Sequence, residues 1–242
     1  MFLLLFNPIL TCAAVIPAIW LMVHIYRADR MEPESPALLG NLVWQGVLST
    51  VIATVAELLL PLILKQFLPE DSQAYQLWFF FFVVGFSEEA AKFFLLHRRT
   101  WRVAEFDCTF DGVVYAAFVS LGFALMENIK YVFSFGLTAA LVRAVTAVPG
   151  HACFGVFMGA WYGAAKYMEQ HGQPGISRIF RILSLATATL LHGAYDYIAS
   201  AETGTDMNWK FLIFVVCLFA EAYLLVNHLS KNDKYVQDVG RF

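Results

Sequence analysis

The segment Phe79-Phe80-Phe81-Phe82-Val83-Val84-Gly85-Phe86-Ser87-Glu88-Glu89-Ala90-Ala91-Lys92-Phe93-Phe94 decides how this chain is read. The apolar run around it covers residues 74–96, and a helix needs about 20 mostly apolar residues to cross the hydrocarbon core of a bilayer. Yet Glu88, Glu89 and Lys92 lie inside that run. A charged side chain at bilayer depth costs roughly 2.5–3.5 kcal/mol on insertion scales, so three unpaired charges carry a gross cost of about 8–10 kcal/mol. Each must be paired, neutralised, bound to a metal or solvated.

The rest of the chain extends the membrane reading. Of 242 residues, 60% are hydrophobic, 16% aromatic and only 14% charged, and the mean hydropathy is +0.63, which leaves too little polar surface to cover a soluble globule. Further runs of spanning length cover residues 2–26, 38–64, 110–133, 137–166, 179–199 and 209–228. The predicted fold is all-α, a polytopic transmembrane helical bundle of seven spans, or eight if residues 137–166 break near Pro149 and Gly150. Loops are short and no linker or internal repeat divides the chain, so residues 1–242 read as a single transmembrane domain.

Charge orients the spans. Arg27 and Arg30, then Arg98, Arg99 and Arg102, then Lys166, Arg178 and Arg181, then Lys231, Lys234 and Arg241 all fall on one side, against Lys65, Lys130 and Lys210 on the other. Cytoplasmic loops are enriched in Lys and Arg, so the N-terminus is expected outside and the C-terminus in the cytosol. The first span lacks a basic leader and is followed at once by Arg27-Ala28-Asp29-Arg30, the flank of a retained helix. A net charge of −3 gives no basic field for nucleic acid. Cys12, Cys108, Cys153 and Cys217 are scattered without a CxxC pair, so no disulfide framework or cysteine metal site is expected.

Polar residues within the spans carry the functional signal. Glu88 and Lys92 are four residues apart and can pair on one helix face, whereas Glu89 is rotated by about 100° and looks toward another neighbour. A buried ion pair that aids insertion is the bland alternative, and it leaves Glu89 unexplained. In the next span Gly112, Ala116, Ser120 and Ala124 form a row of small residues that lets another helix approach, and Asn128 continues it with Glu127 beside it. Asn128 suits an interhelical hydrogen bond as well as a site role. His151 follows Pro149-Gly150, and His192 precedes Asp196 by one turn on the same face. A carboxylate on the second ring nitrogen commonly orients a metal-bound histidine and equally describes an ordinary His–Asp pair. Either histidine alone reads as structural.

Together, these intramembrane carboxylates and imidazoles suit Zn²⁺ with a coordination position left for water. A glutamate not used by the metal can then act as general base. Glu57 and Glu221 are intramembrane acids with no evident partner, and the sequence assigns none to Asp111 or Arg143. Gly155, Gly159 and Gly163 read as a packing row, while the aromatics at 78–82 and Trp161-Tyr162 are expected to face lipid or the interface.

Residues 85–197 resemble the PrsW family of intramembrane proteases, which is related to the CAAX-prenyl endopeptidase-like membrane proteases. The resemblance rests on Glu88-Glu89-Ala90-Ala91-Lys92 for an EExxK motif, on Phe110-Asp111-Gly112, on the Gly-Phe-Ala run ending in Glu127-Asn128, on Pro149-Gly150-His151 and on His192-Gly193-Ala194-Tyr195-Asp196. It implies a bacterial cell-membrane protease with its catalytic core at residues 85–197. Such an enzyme makes the first cut in a single-span membrane protein, such as an anti-sigma factor, and later proteolysis releases a transcription factor. Carried onto this chain, Glu88 and Glu89 become the catalytic carboxylates, Glu127, His151 and His192 the metal-side residues with zinc as cofactor, and Lys92, Asn128 and Asp196 the supporting ones. Glu127 stands where CAAX-type relatives carry a histidine, and Lys92 departs from their arginine. The partners implied are the lipid bilayer and a protein substrate, and the site is expected toward the outer half of the membrane. A proton- or ion-coupled transporter and a non-catalytic chaperone or scaffold are the alternatives from other classes.

Overall fold

In lipid a backbone satisfies its N–H and C=O groups internally, so apolar runs of this length become helices. A computed structural model describes residues 8–201 and 208–237, and among them the only non-helical pairing is a single bridge between Cys108 and Tyr235. The expected start of the first span at residue 2, and Arg241, lie outside the described residues. Helix α1 (Pro8–Ala28) is followed by α2 (Pro36–Leu64), where Ser35 accepts a hydrogen bond from the Leu38 N–H and Pro36 occupies the first turn. Next, α3 (Gln73–Trp78) continues through a π-helical segment (Phe79–Phe86) into α4 (Ser87–Thr100). The remaining helices are α5 (Asp111–Val145), α6 (Ala147–Gln170), α7 (Pro174–Ser200) and α8 (Trp209–Lys231).

Four stretches are long and apolar enough to cross a membrane: Pro8–Ala28, Pro36–Leu64, Asp111–Gln170 and Trp209–Lys231. Residues 73–100 are interrupted by the π segment and carry Glu88, Glu89 and Lys92, and α7 carries Arg178, Arg181 and Asp196, so neither belongs to that apolar class. The long fifth region breaks at Thr146, close to Pro149 and Gly150, and also earlier, at Gly136. Helical geometry is lost at Gly136 (φ 79°) and again at Thr146 (φ −122°, ψ −72°). Pro149 then falls in the first turn of α6, where an absent N–H breaks no intrahelical bond.

Helix α5 is the buried axis, packed on α6, α1 and α2. The predicted small-residue rows explain how α6 comes so near: a Cβ built on Gly159 falls 2.4 Å from the Gly112 carbonyl oxygen. Backbones meet there with nothing between them. Tyr162 corrects the expectation that Trp161-Tyr162 faces lipid. It is fully buried, with its hydroxyl 2.9 Å from Thr100 Oγ1 and its ring among Phe93, Trp101 and Phe106, because the face of α6 that carries it turns onto α4. Of the aromatics at 78–82, Trp78 and Phe82 are exposed as expected, whereas Phe79, Phe80 and Phe81 are half-buried, because the π segment turns Phe81 onto Gly193 and Phe79 and Phe80 toward an internal cavity.

Candidate active site

The site is assembled where the π segment meets α7. A π turn widens the helix and commonly lies at functional sites, and this one ends just before Ser87, Glu88 and Glu89. Gly193 permits close contact across it, since a Cβ there falls 2.6 Å from Phe81 Cδ1 and 2.8 Å from Phe81 Cα. With the helices this close, His192 arrives beside the acids of α4.

Glu89 Oε1 accepts hydrogen bonds from Lys92 Nζ at 2.8 Å and from His192 Nδ1 at 2.8 Å. Lys92 Nζ also donates to Glu88 Oε2 at 3.3 Å and stands 3.2 Å from His151 Nδ1. Thus Lys92 pairs with Glu88 as its spacing predicts, and with Glu89 as well; the other neighbour of Glu89 is His192. His192 Nε2 faces Asp196 Oδ2 at 3.3 Å and Glu88 Oε2 at 3.8 Å. Phe154 stacks on His192, and Phe123 lies 3.9 Å beneath the Lys92 ammonium. The buried ions thereby gain both partners and polarisable surface.

A second layer comes from α5. His151 Nε2 donates to Glu127 Oε2 at 2.9 Å, and the same oxygen accepts from Arg143 at 2.6 Å. This arrangement leaves Nδ1 of His151 as the lone pair facing inward, toward Lys92. Arg143 Nε also donates to Asn128 Oδ1 at 3.3 Å, while Asn128 Nδ2 donates to the Ala14 carbonyl at 2.8 Å. Asn128 therefore ties α1 to α5 and anchors the arginine.

A cavity of about 320 Å³ lies over this network, lined by Glu57, Glu88, Glu127, Arg143, His151, His192 and Asp196 with Phe79, Phe80, Tyr131 and Phe154 among its walls. Glu89 and Lys92 are fully buried behind it and do not line it. Sequence reasoning left Glu57 and Arg143 without a place, and both face this cavity. The signal for Glu57 was an acid in a long apolar helix with no basic residue one turn away. Its Oε1 is buried without a hydrogen-bond partner.

Glu88, Glu89, His151 and His192 each offer a ligand atom within 4.8 Å of the others. Carboxylate oxygen and imidazole nitrogen are zinc ligands, and Glu89 Oε2 is buried with no hydrogen-bond partner. The Lys92 ammonium, bonded to three of the four residues, shows that these donors already converge on positive charge. The donor set fits a metal cation.

Fold and site define a multi-pass helical membrane protein with a buried carboxylate–imidazole centre. Its family follows from comparison with known proteins: a family model described as PrsW family intramembrane metalloprotease matches residues 34–222, and the chain belongs to that family. It is 33% identical over 209 residues to Protease PrsW of Bacillus subtilis (strain 168), covering 86% of this chain and 88% of the relative. Protease PrsW of Halalkalibacterium halodurans is 35% identical over 191 residues, 78% of this chain and 82% of its own. That of Clostridioides difficile (strain 630) is 29% identical over 227 residues, 92% and 90% of the two chains. No solved structure matches. The chain is a membrane-embedded protease, and its relatives are bacterial.

Proposed function

We propose that this chain is a zinc-dependent intramembrane endopeptidase that makes the first cut in a single-span membrane protein such as an anti-sigma factor. The observation that carries the reading is the convergence of Glu88, Glu89, His151 and His192 within 4.8 Å of one another beside a cavity that Glu88, His151 and His192 line. His151, His192 and Glu89 would hold the ion, which when bound supplies Lewis-acid polarisation of a carbonyl and of water. Glu88 is the general base, because of the two adjacent glutamates it is the one that faces the cavity. Glu89 is fixed from both sides by Lys92 and His192. Glu127 orients His151, since its Oε2 is already engaged by His151 and Arg143. Asp196 does the same for His192 through Nε2. Phe79, Phe80, Tyr131 and Phe154 make up the aromatic part of the cavity wall beside these charges.

In this reading the bundle crosses the membrane seven times, with residues 73–100 and α7 as spans shielded by the apolar ones. The N-terminus lies outside in this reading, so the cavity, toward the turn at 65–72 and the helix breaks at Gly136 and Thr146, opens to the outer half of the bilayer. The test is cleavage of a single-span reporter by purified protein in liposomes, with zinc measured by elemental analysis. Glu88→Gln is expected to lower cleavage by roughly 10²–10⁴-fold while inserting normally. A His151→Ala, His192→Ala double variant is expected to lose a near-stoichiometric zinc. Parental cleavage rates from inserted Glu88→Gln protein would overturn the assignment.

A further inference from the structure

Between α4 and α7 runs an open groove of about 680 Å³ whose two ends differ. Phe86, Phe93, Ile182, Leu185, Ala186 and Leu190 make its walls apolar, whereas Arg178 and Arg181 line it at one end and no acidic residue lines it anywhere. The two helices run in opposite directions. Gly85 approaches Thr189 and Gly193, while Trp101, just past the end of α4, lies under Arg181. His97 therefore belongs to the arginine end, and Phe86 and Leu190 to the apolar one. At about 1.5 Å per helical residue, the stretches from Arg178 to Leu190 and from His97 to Phe86 are roughly 16–18 Å long. That is about half of a hydrocarbon core of roughly 30 Å, the reach of one lipid leaflet.

The arginines are held in place and left unsatisfied. Among the described residues the one acid paired with Arg181 is Glu169, at 3.9 Å. Glu169 is engaged at closer range, with Oε1 accepting from Trp101 Nε1 at 3.0 Å and Oε2 from Ser177 Oγ at 3.2 Å. The Arg181 guanidinium lies over the Trp101 ring, 4.9 Å from its centre, and its Nε is buried without a hydrogen-bond partner. Arg178 is exposed and makes no hydrogen bond or ion pair among the described residues. Residues three apart on a helix are neighbours, so both charges stand at one opening of the groove. Guanidinium forks of this kind match the oxygens of a phosphate.

We propose that this groove holds one acidic phospholipid, with its phosphate on Arg178 and Arg181 and an acyl chain laid between α4 and α7 toward Phe86 and Leu190. Basic pockets between transmembrane helices recognise lipid headgroups in this way. The transmembrane helix of a substrate suits the groove less well. It needs an apolar track of about 30 Å, and the basic residues that flank such helices on the cytosolic side would meet the two arginines. The lipid bridges the helices that carry Glu89 and His192. It requires that α4 and α7 span the bilayer, as proposed above, and requires nothing of the protease centre.

Native mass spectrometry of the full-length, detergent-purified protein tests this, with phosphatidylglycerol and phosphatidylcholine of identical acyl chains as the probes. One phosphatidylglycerol per chain is expected, retained roughly tenfold more tightly than phosphatidylcholine because its net charge meets both arginines. An Arg178→Gln, Arg181→Gln double variant should erase that preference. Ala186→Phe fills the groove without altering charge and should lower retention of both lipids. An Arg98→Gln, Arg102→Gln double variant removes the same charge at the same end of the bundle, outside the groove, and should bind like the parent. Equal retention of the two lipids by folded parent protein overturns the proposal, as does an unchanged preference in the Arg178→Gln, Arg181→Gln protein. An equal loss in the Arg98→Gln, Arg102→Gln protein overturns it as well. Displacement of the lipid by the single-span reporter does the same, by giving the groove to the substrate helix.

Discussion

Glu89 Oε1 lies 2.8 Å from His192 Nδ1, and this contact joins the acid-bearing helix α4 to the imidazole-bearing helix α7 across 103 residues of sequence. The same oxygen holds Lys92, so one fully buried carboxylate carries two cationic or donor groups.

Neutralising Glu89 should therefore cost more stability than neutralising Glu88. Breaking a buried pair by removing one partner costs about 3–5 kcal/mol, and Glu89→Gln removes the shorter contacts, 2.8 Å against 3.3 and 3.8 Å at Glu88. Denaturant unfolding of both variants in one detergent, run beside the reporter assay, separates the roles. Glu89→Gln should lose stability and cleavage together, and Glu88→Gln chiefly cleavage.

Arg143→Gln should behave like Glu127→Gln. The arginine acts on the histidine only through Glu127, at 2.6 Å, and the carboxylate continues to His151 at 2.9 Å. Partners that orient a metal-binding histidine are typically worth roughly 10–100-fold in metal affinity or activity. Zinc titrations of the two single variants and the double variant should give losses in that range that do not add. Independent, additive losses would mean that Arg143 works elsewhere.

A methyl group at Gly193 should disable the enzyme without preventing insertion. Its Cβ would stand 2.6 Å from Phe81 Cδ1 and 2.8 Å from Phe81 Cα, so α7 must withdraw from the π segment and take His192 from Glu89. Overpacking of this kind costs about 1–3 kcal/mol. Adding Phe81→Ala should recover part of the activity, since the ring clash is removed and the backbone clash stays.

Lys92→Met should make folding depend on zinc. The ammonium bonds Glu88, Glu89 and His151, three of the four residues of the candidate metal group, so lysine and metal compete for the same donors. Without either cation the glutamates are buried and uncompensated, at a cost of about 3–5 kcal/mol. Added zinc is expected to raise the unfolding midpoint more in Lys92→Met than in the parent. An equal shift in both proteins would dissociate the lysine from the metal position.

The primary structure alone determined that this chain is a helical membrane protein and that its chemistry is embedded in the bundle. Runs of apolar residues of spanning length have one stable backbone solution in lipid, and Glu88, Glu89, Lys92, His151 and His192 stand out against them because buried ions are costly. The small-residue rows on α5 and α6 were legible for the same local reason, that a four-residue spacing repeats on one helix face. Local reasoning stopped at the rotation of each helix about its axis, which packing sets and spacing does not. Only the tertiary structure placed Glu88 on the cavity and Glu89 behind it, turned Tyr162 inward, and brought Glu57 and Arg143 to the same wall.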